Sequence, residues 1–410
     1  MIPTNDDSEA FAFSQVLPPI CSPFHPRLQL ELSIHTIGRA EESATMESSI
    51  IRAFGSVTLG EKIQILVTAL RLPFILIWSL ATKPFVPHNT KKHWKRVLVD
   101  AAVQTLTCTL NRVQFQYMFG DPSQVIAEKW GKRVGVPIEV EEIGEDAKLI
   151  WIGQKRTDRV IFYLHGGGFL MPLQDSPLGF WNYVGKELKR RGQDVTVVAL
   201  QYTLVPNAVF PTQLRQAFRA LEHLLSSGVQ PQNLQLAGDS AGANLIIQLL
   251  SHILHPLNDV PPIKLSAPIR GAYLMSPFTR LSGLPQSQND SLDVISAGVL
   301  MAWGQDVLHG VPDSQNVYLE PANASQTWFA GVDKLVSRVL TTAGGSEALK
   351  DHIIEFNDLF AKHHNDTEFV IQEGGVHDDP FNDFILGEDS PILGDLTPII
   401  IDWLFAGFDH

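Results

Sequence analysis

The stretch Val160-Ile161-Phe162-Tyr163-Leu164-His165-Gly166-Gly167-Gly168-Phe169-Leu170 decides how this chain is read. Its first five residues are an apolar run of the length of a buried strand. The glycines after His165 end that strand where backbone N–H groups can turn outward. Such a loop performs no reaction; it receives negative charge, and another part of the chain must generate that charge. The counterpart is Gly238-Asp239-Ser240-Ala241-Gly242, a G-x-S-x-G that follows the apolar run 234–237 and opens a helical pattern over 243–250.

Working outward, a chain of 410 residues can bury a large core and has room for two or three domains. A net charge of −13 with a pI near 5.5, and no basic stripe with interleaved aromatics, argues against nucleic acid as a partner. Two cysteines, Cys21 and Cys108, are too few for a disulfide framework or a zinc cluster, and read as free thiols in a reducing compartment. The start, MIPTNDDSEAF, lacks the charged-then-apolar pattern of a signal peptide, and Phe408-Asp409-His410 is no peroxisomal address. The expected location is the cytoplasm or the cytoplasmic face of a membrane.

Residues 1–45 hold five prolines by position 26 and no sustained period, and are expected to be a disordered tail. The segment 46–135 reads as helical. Within it, 63–81 (IQILVTALRLPFILIWSLA) is the most apolar part of the chain, and its 19 residues reach the length of a membrane span. Arg71 and Pro73 sit at its middle, and a central Arg costs roughly 2.5 to 3.5 kcal/mol on insertion scales. The favoured expectation is a helix pair broken at Pro73 and buried as part of a cap, with docking on a membrane surface as the alternative. The basic residues Lys91, Lys92, Lys95 and Arg96 follow. The sequons at Asn289, Asn323 and Asn365 are expected to be chance matches.

An extended region over 136–152 shows alternation around Ile138, Val140 and Ile150. Strand candidates then recur at 160–164, 195–200, 234–237, 271–275, 336–341 and 368–371, separated by helical patterns such as 212–225. This alternation predicts an α/β fold with a mostly parallel sheet covered by helices on both faces. The piece 276–333 has weak strand signal and reads as an insertion forming a cap with the N-terminal helices.

A serine hydroxyl needs a base within reach, and a third group to orient that base, before it can attack an acyl carbon. In G-x-S-x-G the glycines let a strand turn sharply into a helix, lifting the hydroxyl of Ser240 clear of the backbone. The glycine run at 166–168 lacks the G-K-[ST] ending of a phosphate loop. It fits an oxyanion hole made by the N–H groups of Gly167 and Gly168, with that of Ala241 after the nucleophile. His165 is expected to brace this loop rather than serve as the base. The order Ser, then Asp or Glu, then His places the base late in the chain. Of the late histidines only His377 lies in a glycine-led loop (Gly374-Gly375-Val376-His377-Asp378) just past a strand. Glu347, where the loop after strand 336–341 becomes a helix, is the leading acid, and Asp351, one turn on, is the alternative. Asp378, next to the base, is expected to have difficulty reaching its far ring nitrogen.

His165-Gly166-Gly167-Gly168-Phe169, Gly238-Asp239-Ser240-Ala241-Gly242-Ala243-Asn244-Leu245, and Tyr202-Thr203-Leu204-Val205-Pro206 with Phe210-Pro211 together resemble the hormone-sensitive-lipase-like branch of the α/β-hydrolases. The resemblance covers about 136–405. It implies an esterase fold with a helical cap and a Ser240, Glu347, His377 triad. The segment 46–87 is similar to the N-terminal part of fungal members, including steryl acetyl hydrolases and hydrolases of secondary-metabolite pathways. Two positions depart from the family pattern: Glu347-Ala348-Leu349 stands where Asp-Pro-Leu is frequent, and Thr203 and Asn207 replace charges in the tyrosine motif.

The reading that results is a serine hydrolase of hydrophobic carboxylic esters working through an acyl-enzyme, with no metal or organic cofactor required. A tailoring enzyme using the same groups for cyclisation, condensation or elimination is the alternative. A ligand receptor on the same scaffold is the second.

Overall fold

Five buried residues in a row, Val160–Leu164, form the strand β3 at the middle of a single sheet in the computed structural model, which describes residues 51–284, 292–387 and 393–409. A run with no polar alternation can only be a strand covered on both faces, as a parallel strand is. The strands are β1 (Ile138–Gly144), β2 (Ala147–Ile152), β3, β4 (Thr196–Gln201), β5 (Leu234–Asp239), β6 (Gly271–Met275), β7 (Val339–Gly344) and β8 (Thr367–Gln372). Among the described residues these eight make one sheet in the order β1-β2-β4-β3-β5-β6-β7-β8. The pairs β1–β2 and β2–β4 are antiparallel; from β4 to β8 the pairing is parallel. Two apolar cores flank it, one holding Phe162, Leu236 and Leu274, the other Ile161, Tyr163 and Trp181.

Labelling only helices of two turns or more, α1 (Leu59–Thr82), α2 (Trp94–Thr109), α3 (Arg112–Phe119) and α4 (Ser123–Val134) precede the sheet. α5 (Asp175–Arg190), α6 (Thr212–Ser226), α7 (Ser240–Leu254), α8 (Ala297–Leu308), α9 (Lys350–Phe360) and α10 (Leu396–Phe408) follow in order. Arg52–His410 form one compact unit. The insertion between β6 and β7 contributes helices and no strand among the described residues. The expected tail at 1–45 and the sequon at Asn289 lie outside the described residues.

Three expectations are corrected. α1 is one continuous helix with Pro73 inside it, not a pair broken there. Its N-terminus is closed by a capping box, with Thr58 accepting from Glu61 N–H and Glu61 from Thr58 N–H. Good helical spacing on both sides carries the helix past the one hydrogen bond that Pro73 removes. Nor is α1 buried: its buried residues are the polar Thr68 and Ser79, while Leu59, Phe74 and Ile77 are 76%, 74% and 67% exposed. The strand expected at 336–341 begins at Val339, because Val336 is taken by an isolated bridge to Ile269. In addition, the free-thiol expectation is not met at Cys108, since no described cysteine is free, and Cys21 lies outside the described residues.

Candidate active site

The parallel strands all end at one edge, and the loops leaving β3, β5, β6, β7 and β8 gather there. At the end of β5 the chain reverses within one residue: Asp239 is still extended, and Ser240, the first residue of α7, has a left-handed φ of +47°. A non-glycine residue in that region is strained, and such strain marks a turn built for function. A Cβ on Gly242 would collide with the Leu164 carbonyl oxygen, so glycine is what lets α7 pack against the end of β3. The amide of Ala241 belongs to the first turn of α7, where no carbonyl inside the helix can accept it.

Opposite this turn, Gly167, Gly168 and Phe169 all have positive φ (+89°, +63° and +61°). Neither Gly167 nor Gly168 N–H has a hydrogen-bond acceptor among the described residues. The loop is held by its neighbours instead. Gly166 N–H donates to Asp239 Oδ1 at 2.9 Å, and the Tyr163 hydroxyl donates to the same oxygen at 2.6 Å. Burial pushes the Asp239 carboxyl up to about 6, against these two donors and the nearby His377, which favour its charge. The His165 ring stacks on Tyr202 at 4.4 Å, and the Tyr202 hydroxyl donates to the His165 carbonyl at 2.8 Å. Burial pulls the His165 ring down to about 4, so it sits there as a neutral brace. Trp303 of α8 lies against Gly168 and closes the far side of the loop.

Glu347, wholly buried after β7, places Oε2 3.6 Å from Nδ1 of His377, an ion-pair separation longer than a hydrogen bond. Asp351 is not brought to the site; its side chain is 69% exposed on α9 beside Lys350. Asp378 does not share the Nδ1 that Glu347 faces; its Oδ2 lies 3.3 Å from the other ring nitrogen, Nε2, on a residue whose own φ is left-handed at +50°. Burial works against charge on His377, yet Asp378, Glu347 and Asp293 override it and push the ring up to about 10.

Three contributors were not read from the sequence. Ser276 follows Met275, the register partner of Asp239, so it stands beside Ser240 at the sheet edge and shares its left-handed backbone (φ +41°). Its hydroxyl donates to Glu347 Oε2 at 2.6 Å and accepts Asp378 N–H at 3.2 Å. The one available signal was a Ser-Pro at the end of a strand candidate. Asp293, in the insertion, accepts His377 N–H and Ala348 N–H, each at 2.8 Å. Arg96 of α2 is not part of an exposed basic cluster. It is buried against Asp100, Asp379 and Asp383 at 2.6, 2.5 and 2.8 Å, and Asp379 accepts Val376 N–H at 3.0 Å, tying α2 to the His377 loop. Lys92 pairs with Asp100, which leaves Lys91 and Lys95 as the exposed cations of that run. A surface cavity of about 270 Å³ lined by Gly135, Arg156, Lys186 and Asp194 lies at the opposite edge of the sheet and shares no residue with the site.

A family model described as the alpha/beta hydrolase fold matches residues 161–379, more than half of the chain and the whole span from β3 to the His377 loop. The chain belongs to this α/β-hydrolase family. Among curated proteins, it is 26% identical over 193 residues to an arylacetamide deacetylase of Oryctolagus cuniculus, covering 41% of this chain and 46% of the relative. It is 31% identical over 141 residues to an esterase of Fusarium pseudograminearum, covering 33% and 42%. The matches thus span about half the length of these curated relatives or less. A solved esterase from the bacterial hormone-sensitive lipase family superposes with a TM-score of 0.60 at 19% identity, covering 78% of this chain and 99% of that one. That likeness concerns the fold.

Proposed function

We propose that this chain is a serine hydrolase of carboxylic esters. The observation that carries the reading is the buried contact of Glu347 with His377 at the sheet edge where Ser240 is held in a left-handed turn. Across from that turn lie the amides of Gly167 and Gly168, without acceptors among the described residues. In this reading Ser240 Oγ attacks the ester carbonyl while His377 takes its proton. The carbonyl oxygen becomes an alkoxide held by the N–H groups of Gly167, Gly168 and Ala241. As the tetrahedral centre collapses, the carbon to alkoxy-oxygen bond breaks and His377 returns the proton to the departing alcohol. Water, deprotonated by the same imidazole, then attacks the acyl carbon; the bond to Ser240 Oγ breaks, the acid departs and His377 returns the proton to Oγ. Asp378 Oδ2 beside His377 Nε2 is a resting partner that Ser240 replaces during turnover.

The proposed substrate is a hydrophobic ester presented at a lipid surface. Support comes from α1, which turns Leu66, Leu70, Phe74, Ile77 and Trp78 outward, and from the Leu59–Phe85 segment, long and apolar enough to cross a membrane. Lys95 stands exposed just beyond it, and Lys91, in a surface ion pair with Glu373 at 3.5 Å, is exposed beside it; both are suited to anionic headgroups. Location at the cytoplasmic face of a membrane belongs to this proposal. Hydrolysis of p-nitrophenyl butyrate by the full chain, abolished in Ser240→Ala, is the expected result. Turnover undiminished in that variant removes the assigned nucleophile.

A further inference from the structure

The insertion between β6 and β7 sends one buried carboxylate into the loops that carry the acid and the base. Asp293 is 1% exposed. Its Oδ1 accepts Val294 N–H at 2.7 Å and His377 N–H at 2.8 Å, and its Oδ2 accepts Ala348 N–H at 2.8 Å. Ala348 is the residue after Glu347, so the two oxygens of a single side chain grip the acid loop and the base residue itself. The segment is anchored from its other side by α2: Gln104 Nε2 donates to the Asp293 carbonyl at 2.8 Å and Thr107 Oγ1 to the Val294 carbonyl at 2.5 Å. No cation pairs with Asp293 among the described residues. A buried carboxylate is a costly way to join two loops that neutral groups could join: burial pushes Asp293 up to about 7, against His377 and the amides of His377 and Ala348, which favour its charge.

We infer that Asp293 is a positioning residue: its carboxylate fixes the spacing of Glu347 and His377 and adds a negative charge beside the imidazolium that forms in each half-reaction. This inference rests on the hydrolase reading above. Position and charge follow from one geometry. The acid and the base lie on separate loops, after β7 and β8, and the 3.6 Å separation of Glu347 from His377 leaves little margin before orientation is lost. The charged groups facing His377 are Glu347 from the acid loop, Asp378 from its own loop, Asp239 from the nucleophile turn, and Asp293 from the insertion. Arg96 lies behind them through Asp379. Of these, Asp293 is the one that also bonds the backbone of the base.

Asp293→Asn keeps the shape, removes the charge, and turns an NH₂ toward at least one of the three amide donors. Assayed on the full chain with p-nitrophenyl butyrate, it is expected to lower kcat by roughly 10- to 100-fold with KM within about twofold. The acidic limb of kcat/KM is expected to move to lower pH, since loss of a neighbouring negative charge makes the imidazolium easier to deprotonate. Asp293→Glu, which keeps the charge but is one methylene too long to serve both loops, is the second variant. It is expected to lose kcat while leaving the acidic limb in place. Wild-type kcat and an unmoved acidic limb in Asp293→Asn, or wild-type kcat in Asp293→Glu, overturns the role. Ser240→Ala run alongside separates the two readings. If it is inactive while Asp293→Asn is unimpaired, the positioning role fails and the hydrolase reading stands; if it hydrolyses at the wild-type rate, both fail.

Discussion

Asp239 Oδ1 accepts the backbone N–H of Gly166 at 2.9 Å, so the residue before the candidate nucleophile holds the loop that would receive the oxyanion. The Tyr163 hydroxyl donates to the same oxygen, and there is no room for a side chain on Gly166 against this carboxylate. Turn and loop are therefore one rigid piece. Asp239→Asn is expected to cost about 1 to 3 kcal/mol of stability, because a buried donor loses its charged acceptor. A drop in kcat is expected with it, as the amides of Gly167 and Gly168 drift from the oxyanion position. Chemical denaturation and p-nitrophenyl butyrate kinetics read the two effects; a variant equal to wild type in both disconnects the turn from the loop.

The acid assignment makes an unequal pair of predictions. Glu347→Gln removes the charge facing His377 Nδ1 and is expected to lower kcat by roughly 10²- to 10⁴-fold. Asp351→Asn, changing an exposed carboxylate on α9, is expected to leave kcat within about twofold. Steady-state kinetics on both proteins decide the matter, and a larger loss in Asp351→Asn reverses the assignment.

The pH dependence follows from the carboxylates around the base. Burial opposes a charged imidazole, but Asp378, Glu347 and Asp293 push His377 up to about 10. A base must be neutral to accept a proton, and a raised pKa keeps it charged until the solution is alkaline. The ester-hydrolysis rate is therefore expected to climb from neutral pH into the alkaline range. Asp378→Asn removes the foremost raising charge and is expected to shift the acidic limb of kcat/KM toward lower pH. A shift in the other direction would contradict this account of the cluster.

The face of α1 predicts a separation of binding from chemistry. Phe74→Glu with Trp78→Glu places charge where both side chains are exposed (74% and 57%), on a helix that carries no residue of the site. Co-flotation with vesicles of phosphatidylcholine and phosphatidylserine is expected to be lost, while hydrolysis of soluble p-nitrophenyl acetate stays at the wild-type rate. Equal flotation of the variant and the wild type removes the lipid-surface proposal.

What the sequence disclosed has a physical pattern. β3, β5 and β6 were legible because strands covered on both faces need unbroken apolar runs, and the Ser240 turn was legible because its sterics demand glycine at fixed offsets. The position of Glu347, between a strand and a helix and beside His377, was legible; its role as the acid stands as a proposal. Asp293 was not, since its bonds go to backbone amides of loops far off in sequence and leave no residue pattern behind. Ser276 was hidden for a similar reason: its role depends on register with β5, which appears only once the sheet is ordered. α1 misled because an apolar segment carries no mark of whether protein or lipid is to cover it.

The central claim, that Ser240 is a nucleophile driven by His377, is tested most directly by a fluorophosphonate probe followed by peptide mass spectrometry. The account predicts one covalent adduct on the peptide containing Ser240, absent in Ser240→Ala and formed far more slowly in His377→Ala. No adduct on the folded wild-type chain, or an adduct that persists at the same rate in either variant, would contradict it.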